Sequence, residues 1–318
     1  MPSWVLKAFA QRAVGALPAP HFWNELLQRH VSRSLNLTHD KFYNRLDVSR
    51  IHLEHFQTYA GPAYGRFNVV ELGTGWFPIV PIALWLCGAS ELRTYDIAQH
   101  LTSARLSATL QKFVETFENG TLINHLPAAN NARLKFLASL VKDVESAAPE
   151  EFLRKIGVEY VIQDFSKNRI PPESIDLIVS YAVLGHPRPD LVAAIFRAFK
   201  RNLGPGGVMS HWIDLSDEYA YFDRRITPFN FLRFSPRAWR LIDNDMIPHN
   251  RLRLTDFRRL IGEAGFCITE ERVVRGNEAD LAGVPLAPEF HAHPKDDLLA
   301  LDAWLVCTSG CSRSDPAC

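Results

Sequence analysis

The sequence predicts an α/β protein, with helices covering both faces of one sheet. Three observations carry that expectation. From about residue 68 onward, short apolar runs alternate with amphipathic stretches, the pattern of repeated strand–helix units. The first apolar run ends in a glycine turn, ELGTG, that leads into a second apolar stretch, as a strand-to-helix turn over a ligand requires. Several later runs end at a single aspartate, a residue suited to turns at strand ends.

The elements follow in order. Residues 67–72 read as the first strand and 78–87 as a buried helix, with Pro78 suited to its first turn because the amide there has no intrahelical partner. Residues 91–95 form a second strand ending at Asp96, 158–163 a third ending at Asp164, and 175–181 a fourth. A helix over 189–202 is stopped by the turn LGPGG, and 208–213 is a fifth strand. Thr255 is placed to cap a helix over 256–264 that Gly265 ends. Residues 266–273 and 298–308 supply the last two strands.

Two stretches exceed what a minimal sheet needs. Residues 98–157 are helical in pattern and longer than a crossover requires. Residues 215–254 are rich in aromatics and arginine, and long insertions at strand ends are where specificity tends to reside. The chain thus divides into an N-terminal helical region over 1–66, a domain over 67–308 carrying both insertions, and a small polar tail, SGCSRSDPAC, expected to be disordered.

The 318 residues carry 35 basic and 35 acidic side chains, which removes the charge footprint of a nucleic-acid binder. Five irregularly spaced cysteines read as reduced thiols in a cytoplasmic protein, and neither they nor His52 and His55 show metal-ligand spacing. The apolar run 76–89 is too short to cross a membrane and is broken by Pro78 and Pro81. The first 24 residues hold Lys7 and Arg12 but no acid. A helix packed on its own domain is the main expectation there, and a targeting segment or weak membrane-surface contact the competing one.

The chemistry concentrates in VVELGTGWFPIVPIALWLCGA. A dinucleotide fingerprint needs glycine at position 78, which is proline, and no Gly-Lys-Ser/Thr ending exists for a phosphate-cradling loop. Glu71, two residues before Gly73, would repel a pyrophosphate but suits an ammonium group.

ELGTGWFP resembles motif I of the class I S-adenosylmethionine-dependent methyltransferases, roughly Glu/Asp-x-Gly-x-Gly-x-Gly. Glu71, Gly73 and Gly75 match, and Phe77 stands where the third glycine is expected. IDLIVSYAVLGHP is similar to the family's fourth-strand signature, with Ser180, Leu184 and His186 agreeing and Gly185 replacing an acid. LGPGGVM before the fifth strand and AGF before the sixth are further matches. The resemblance spans residues 68–96 and 159–308 and implies a Rossmann-like, seven-stranded sheet with S-adenosylmethionine as cofactor. It implies that Asp96 holds ribose hydroxyls and Asp164 the adenine amino group, with Thr74, Ile97, Phe165 and Tyr181 also at the cofactor. GTGWFPIVP with HWIDLSDEYAYFD, ITPFNFLRFS and HNRLRLTDFRRL resembles a bacterial subgroup, some of whose members are encoded beside polysaccharide or envelope-glycan genes.

The expected function is methyl transfer to oxygen or nitrogen of a small molecule or glycan precursor. His186 or His211 is the candidate general base and Asp214 a weaker one; a packed, hydrogen-bonded role is the competing expectation for each histidine. Arg224, Arg225, Arg233 and Arg237 either grip an anionic substrate or form a solvated surface. A non-catalytic cofactor-binding scaffold stays open, and a nicotinamide-dependent oxidoreductase is disfavoured by Pro78 and Glu71.

Overall fold

The computed structural model describes residues 3–15, 36–60, 66–141, 148–244 and 248–310; most of the expected disordered tail lies outside them. Seven strands, β1 (Phe67–Leu72), β2 (Ala89–Asp96), β3 (Val158–Ile162), β4 (Ile175–Tyr181), β5 (Leu203–Asp214), β6 (Cys267–Arg275) and β7 (Ala300–Thr308), form one sheet. Their order is β3-β2-β1-β4-β5-β7-β6, and β1 pairs in parallel with both β2 and β4, as β2 does with β3. The strand order reverses between β1 and β4. In open α/β sheets ligands bind outside the carboxyl ends of the strands at such a point. The order also departs from the dinucleotide arrangement 3-2-1-4-5-6 through the placement of β7 between β5 and β6.

The first and fourth strands and the helix Pro189–Asn202 fall where the residue pattern puts them. The helix after β1, Ile79–Leu86, is buried on every side, as befits a stretch apolar all round. Pro78 stands at its N-cap rather than inside its first turn.

Other boundaries move for identifiable reasons. β2 starts at Ala89, β3 ends at Ile162, and β7 starts at Ala300. LGPGG is not a turn that precedes β5, because the strand already starts at Leu203. A Cβ on Gly204 would lie 2.9 Å from the Glu173 carbonyl oxygen, so the glycine permits a backbone approach that a side chain would block. The helix Leu254–Glu263 is capped by Arg253 and not by Thr255. The Asp256 carboxylate accepts from the Arg253 amide at 3.0 Å, while the Thr255 amide donates to Asp297 Oδ1 at 2.7 Å.

The chain forms two compact units. One comprises 36–181, 197–210 and 306–318. Among its described residues, the stretch after β2 holds the helices Ser103–Glu118, Leu122–His125, Asn131–Leu140 and Pro149–Lys155. The helix His39–Tyr59, capped by the Thr38 hydroxyl, lays Phe56 against Phe67 with ring centroids 4.9 Å apart. It also buries His52 and His55, whose Nδ1 atoms both lie 2.8 Å from the Ser210 hydroxyl. A hydroxyl has one proton to give and two lone pairs, so at least one of the two rings donates to Ser210.

The other unit comprises 1–35, 182–196 and 211–305. Trp4 and Ala8 of the helix Ser3–Gly15 join a core with Tyr219, Phe231 and Trp239. Arg253, fully buried, ties this unit together by donating to the carbonyls of Leu215, Asp297, Leu298 and Ala300. Cys87 and Cys307 are free thiols. Among the described residues no helix is long and apolar enough to cross a membrane, and no three His, Cys, Asp or Glu side chains are grouped to hold a metal.

Candidate functional site

Two clusters of chemistry-bearing residues stand out, one in each unit. The first lies at the carboxyl ends of β1, β2 and β4. The loop after β1 runs through Gly73 and Gly75 at φ 87° and 65°, left-handed backbone that favours glycine. The Gly73 amide donates to the Tyr95 carbonyl at 2.7 Å. The Gly75 amide donates to Asp96 Oδ2 at 2.9 Å, and the Ile97 amide to Asp96 Oδ1 at 2.8 Å. Asp96 therefore ties the glycine loop to the end of β2. A Cβ built on Gly75 would meet nothing within 4 Å, so the loop borders open space. Ile97, 75% exposed, directly follows Asp96.

Behind the loop sits Glu71, buried in β1. The parallel register places it beside Thr94, whose hydroxyl donates to Glu71 Oε2 at 2.5 Å. With that proton committed, Thr94 accepts from the Thr74 hydroxyl, and a chain of hydroxyls links the loop to the buried acid. Burial pushes the Glu71 carboxyl up to about 8, with the Thr94 bond and the charge of Arg45 opposing and Asp96 reinforcing. The acid is therefore largely neutral at pH 7. A cation brought beside it would draw its proton off. Arg45, from the helix His39–Tyr59, also lies 4.0 Å over the ring of Tyr181 at the end of β4.

Asp164 and Phe165 have local jobs. Asp164 caps a 3-10 turn by accepting from the Ser166 amide at 2.9 Å, which a turn residue at a strand end would do. Phe165 is 1% exposed and packs between Tyr95 and Phe199, at 4.9 and 5.0 Å. It is a core side chain. Trp76 is covered by His100 and by the Arg105 guanidinium, each 4.4 Å from its ring.

The second cluster carries the acid–base candidates. His186 Nδ1 lies 2.8 Å from the Pro248 carbonyl and Nε2 3.5 Å from Glu218 Oε1. A carbonyl only accepts, so Nδ1 holds a proton and Nε2 is the nitrogen that exchanges one. Burial raises the Glu218 carboxyl, which the charge of His186 opposes. The loop bearing His186 is clamped by Asn250, whose side-chain amide donates to the Leu184 and Pro187 carbonyls, both at 2.8 Å, and whose backbone amide donates to Gly185 at 2.9 Å. A Cβ on Gly185 would sit 2.8 Å from the Asp214 carbonyl oxygen, which accounts for glycine where the resembled signature has an acid.

Asp214 accepts from the Ser216 and Tyr221 hydroxyls at 2.6 and 3.1 Å. His211 is fully buried against Phe196, and burial pulls its pKa down to about 3. It stays neutral within the core. Arg225 is bound by both oxygens of Asp223. Thr94, Arg45, Glu218 and Asn250 escaped the sequence reading. Thr94 alone had a signal, since strand alternation puts it on the side opposite Tyr95 and two residues before Asp96.

Neither a protein-family model nor a curated protein sequence matches the chain. Solved structures resemble it distantly. A S-adenosylmethionine-dependent methyltransferase from Mesorhizobium loti is 16% identical over 80% of this chain and 95% of its own, with a TM-score of 0.42. Another from Clostridium acetobutylicum is 10% identical over 92% and 100%, at 0.45. A protein from Pyrococcus horikoshii is 14% identical over 86% and 93%, at 0.47. Likenesses this remote leave the chemistry of the chain to be argued from its own residues.

Proposed function

We propose that the chain is a S-adenosylmethionine-dependent methyltransferase acting on oxygen or nitrogen of a small molecule or glycan precursor. The observation that carries this reading is the joined set Glu71, Thr94, Thr74, Gly75 and Asp96 at the point where the strand order reverses. When bound, the cofactor supplies a methyl group on a sulfonium, which passes to the acceptor while sulfur keeps the bonding pair.

The residues present fit that group. Gly73 and Gly75 let backbone approach it, and the open space before Gly75 leaves it room. Asp96 uses its oxygens on backbone amides, yet a carboxylate has about four acceptor sites, so ribose hydroxyls can share it. Glu71 offers a carboxyl that a neighbouring ammonium would ionise. Ile97 offers an exposed apolar side chain for the adenine. A pyrophosphate finds no such welcome, because the neutral Glu71 offers it no charge to pair with and Pro78 stands where a dinucleotide loop needs its third glycine.

His186 Nε2 takes the proton that an acceptor hydroxyl or amine loses, with Glu218 stabilising the charge that results. Calorimetry with S-adenosylhomocysteine and with NAD tests the cofactor; no binding of the first at millimolar concentration would overturn the reading. A screen of amines, hydroxyl compounds and glycan intermediates for incorporation of labelled methyl tests catalysis, and separates an enzyme from a binding scaffold.

A further inference from the structure

One face of the unit formed by 1–35, 182–196 and 211–305 has a character that methyl transfer does not use. The described residues expose ten large hydrophobic side chains, and five of them belong to two segments. Leu6 and Phe9, 65% and 55% exposed, lie on the helix Ser3–Gly15; Tyr221, Phe222 and Leu241, 72%, 48% and 64% exposed, lie within 221–241. The segments form one surface. Lys7 sits 4.4 Å over the Phe222 ring, Arg12 donates to the Arg240 carbonyl at 2.7 Å, and Trp4 packs on Tyr219 and Phe234.

Its charge is one-sided although the chain has no net charge. Arg12, Arg224, Arg225, Arg233, Arg237 and Arg240 are exposed. The one acid within 3–15 and 221–241 is Asp223, buried and bound by Arg225 and by the Trp4 amide. Half-buried Glu218 acts on Lys7 and Asp214 accepts from Tyr221, but every fully exposed charge of the two segments is an arginine. Apolar side chains among arginines suit the boundary between acyl chains and anionic headgroups. Two copies meeting through this face about a twofold axis would set arginine against arginine. Duplex phosphates would leave Leu6 and Leu241 in water.

We propose that this surface docks on an anionic lipid bilayer, Leu6, Phe9, Tyr221, Phe222 and Leu241 entering the interface while the arginines meet lipid phosphates. The proposal is independent of the methyltransferase reading. It makes the helix Ser3–Gly15 a membrane contact and a domain contact at once, because Trp4 and Ala8 face inward and Leu6 and Phe9 outward.

Flotation of the full chain with vesicles tests it. Vesicles of phosphatidylcholine with about 30% phosphatidylglycerol should retain the protein, and phosphatidylcholine alone should not. Retention should fall as salt rises. The double variant Leu6→Ser/Phe9→Ser should bind roughly tenfold more weakly, and Arg224→Glu/Arg237→Glu should not bind. Both variants alter exposed side chains, so unchanged melting temperatures confirm that they fold. No retention of the wild type, equal retention on neutral vesicles, or unchanged retention of both variants would overturn the proposal. So would a wild type that only self-associates, without retention, in a way that Leu6→Ser/Phe9→Ser abolishes.

Discussion

Glu71 and Thr94 face each other in register across β1 and β2, and the Thr94 hydroxyl donates to the Glu71 carboxylate at 2.5 Å. Burial nonetheless holds the acid near 8. A raised carboxyl binds its proton more tightly in the folded chain than in the unfolded one. Stability is therefore highest below the ordinary carboxylate range and is lost as pH rises from about 4.5 towards 8. Glu71→Gln keeps an acceptor for Thr94 and removes the titration. The variant should gain on the order of 2–4 kcal/mol over the wild type at pH 8 and little at pH 5. Thermal melts between pH 5 and 9 check this; parallel pH profiles would contradict it.

The same acid links binding to protons. An ammonium beside Glu71 favours its charged form, so S-adenosylhomocysteine binding at pH 7 should release protons. Calorimetry in buffers of different ionisation enthalpy measures the release, which Glu71→Gln should suppress along with much of the affinity.

Asp96 holds both the Gly75 and the Ile97 amides. Asp96→Ala should weaken S-adenosylhomocysteine binding by about 1.5–3 kcal/mol, the range for a charged hydrogen bond. Gly73→Val should abolish binding. An affinity unchanged in either variant would remove the loop from the site.

Gly185 has no room for a side chain beside the Asp214 carbonyl. Gly185→Ala should destabilise the chain by about 1–3 kcal/mol, the usual cost of overpacking, as read by denaturant unfolding. Gly75→Ala, where a Cβ meets nothing, should cost only the strain of its left-handed backbone, about 1–2 kcal/mol.

On an acceptor found by screening, His186→Ala should lower turnover by roughly 10²–10⁴-fold while cofactor affinity holds. Asn250→Ala should lower turnover and shift its pH profile, because the loop loses two carbonyl clamps. His211→Ala should act on stability, by roughly 2–5 kcal/mol as for other large-to-small core changes. Wild-type turnover in His186→Ala would end its assignment as base.

What the sequence disclosed was local. β1, β4 and the glycine loop follow from apolar runs and from residues that only a tight turn would choose. The β5 boundary was hidden because the backbone approach at Gly204 depends on Glu173, a residue thirty-one positions away. Phe165 read as a ligand contact because its neighbour Asp164 matches a motif, while its packing on Tyr95 and Phe199 is tertiary. Arg45 carries no motif, and the stretch HNRLRLTDFRRL that holds Asn250 does not reveal its role; both act through folding that brings distant segments to the loops they hold.

The helix His39–Tyr59 precedes the first strand, yet it supplies Arg45 over Tyr181 and two imidazoles to Ser210. A fragment cut just before β1 would keep every motif residue. It would nonetheless lose the cation that offsets the burial of Glu71, and strip the cover from a buried serine on β5. For anyone seeking a minimal soluble piece of this unit, or grafting its loop onto another sheet, the start of the transplant belongs at Asn36, not at the first strand.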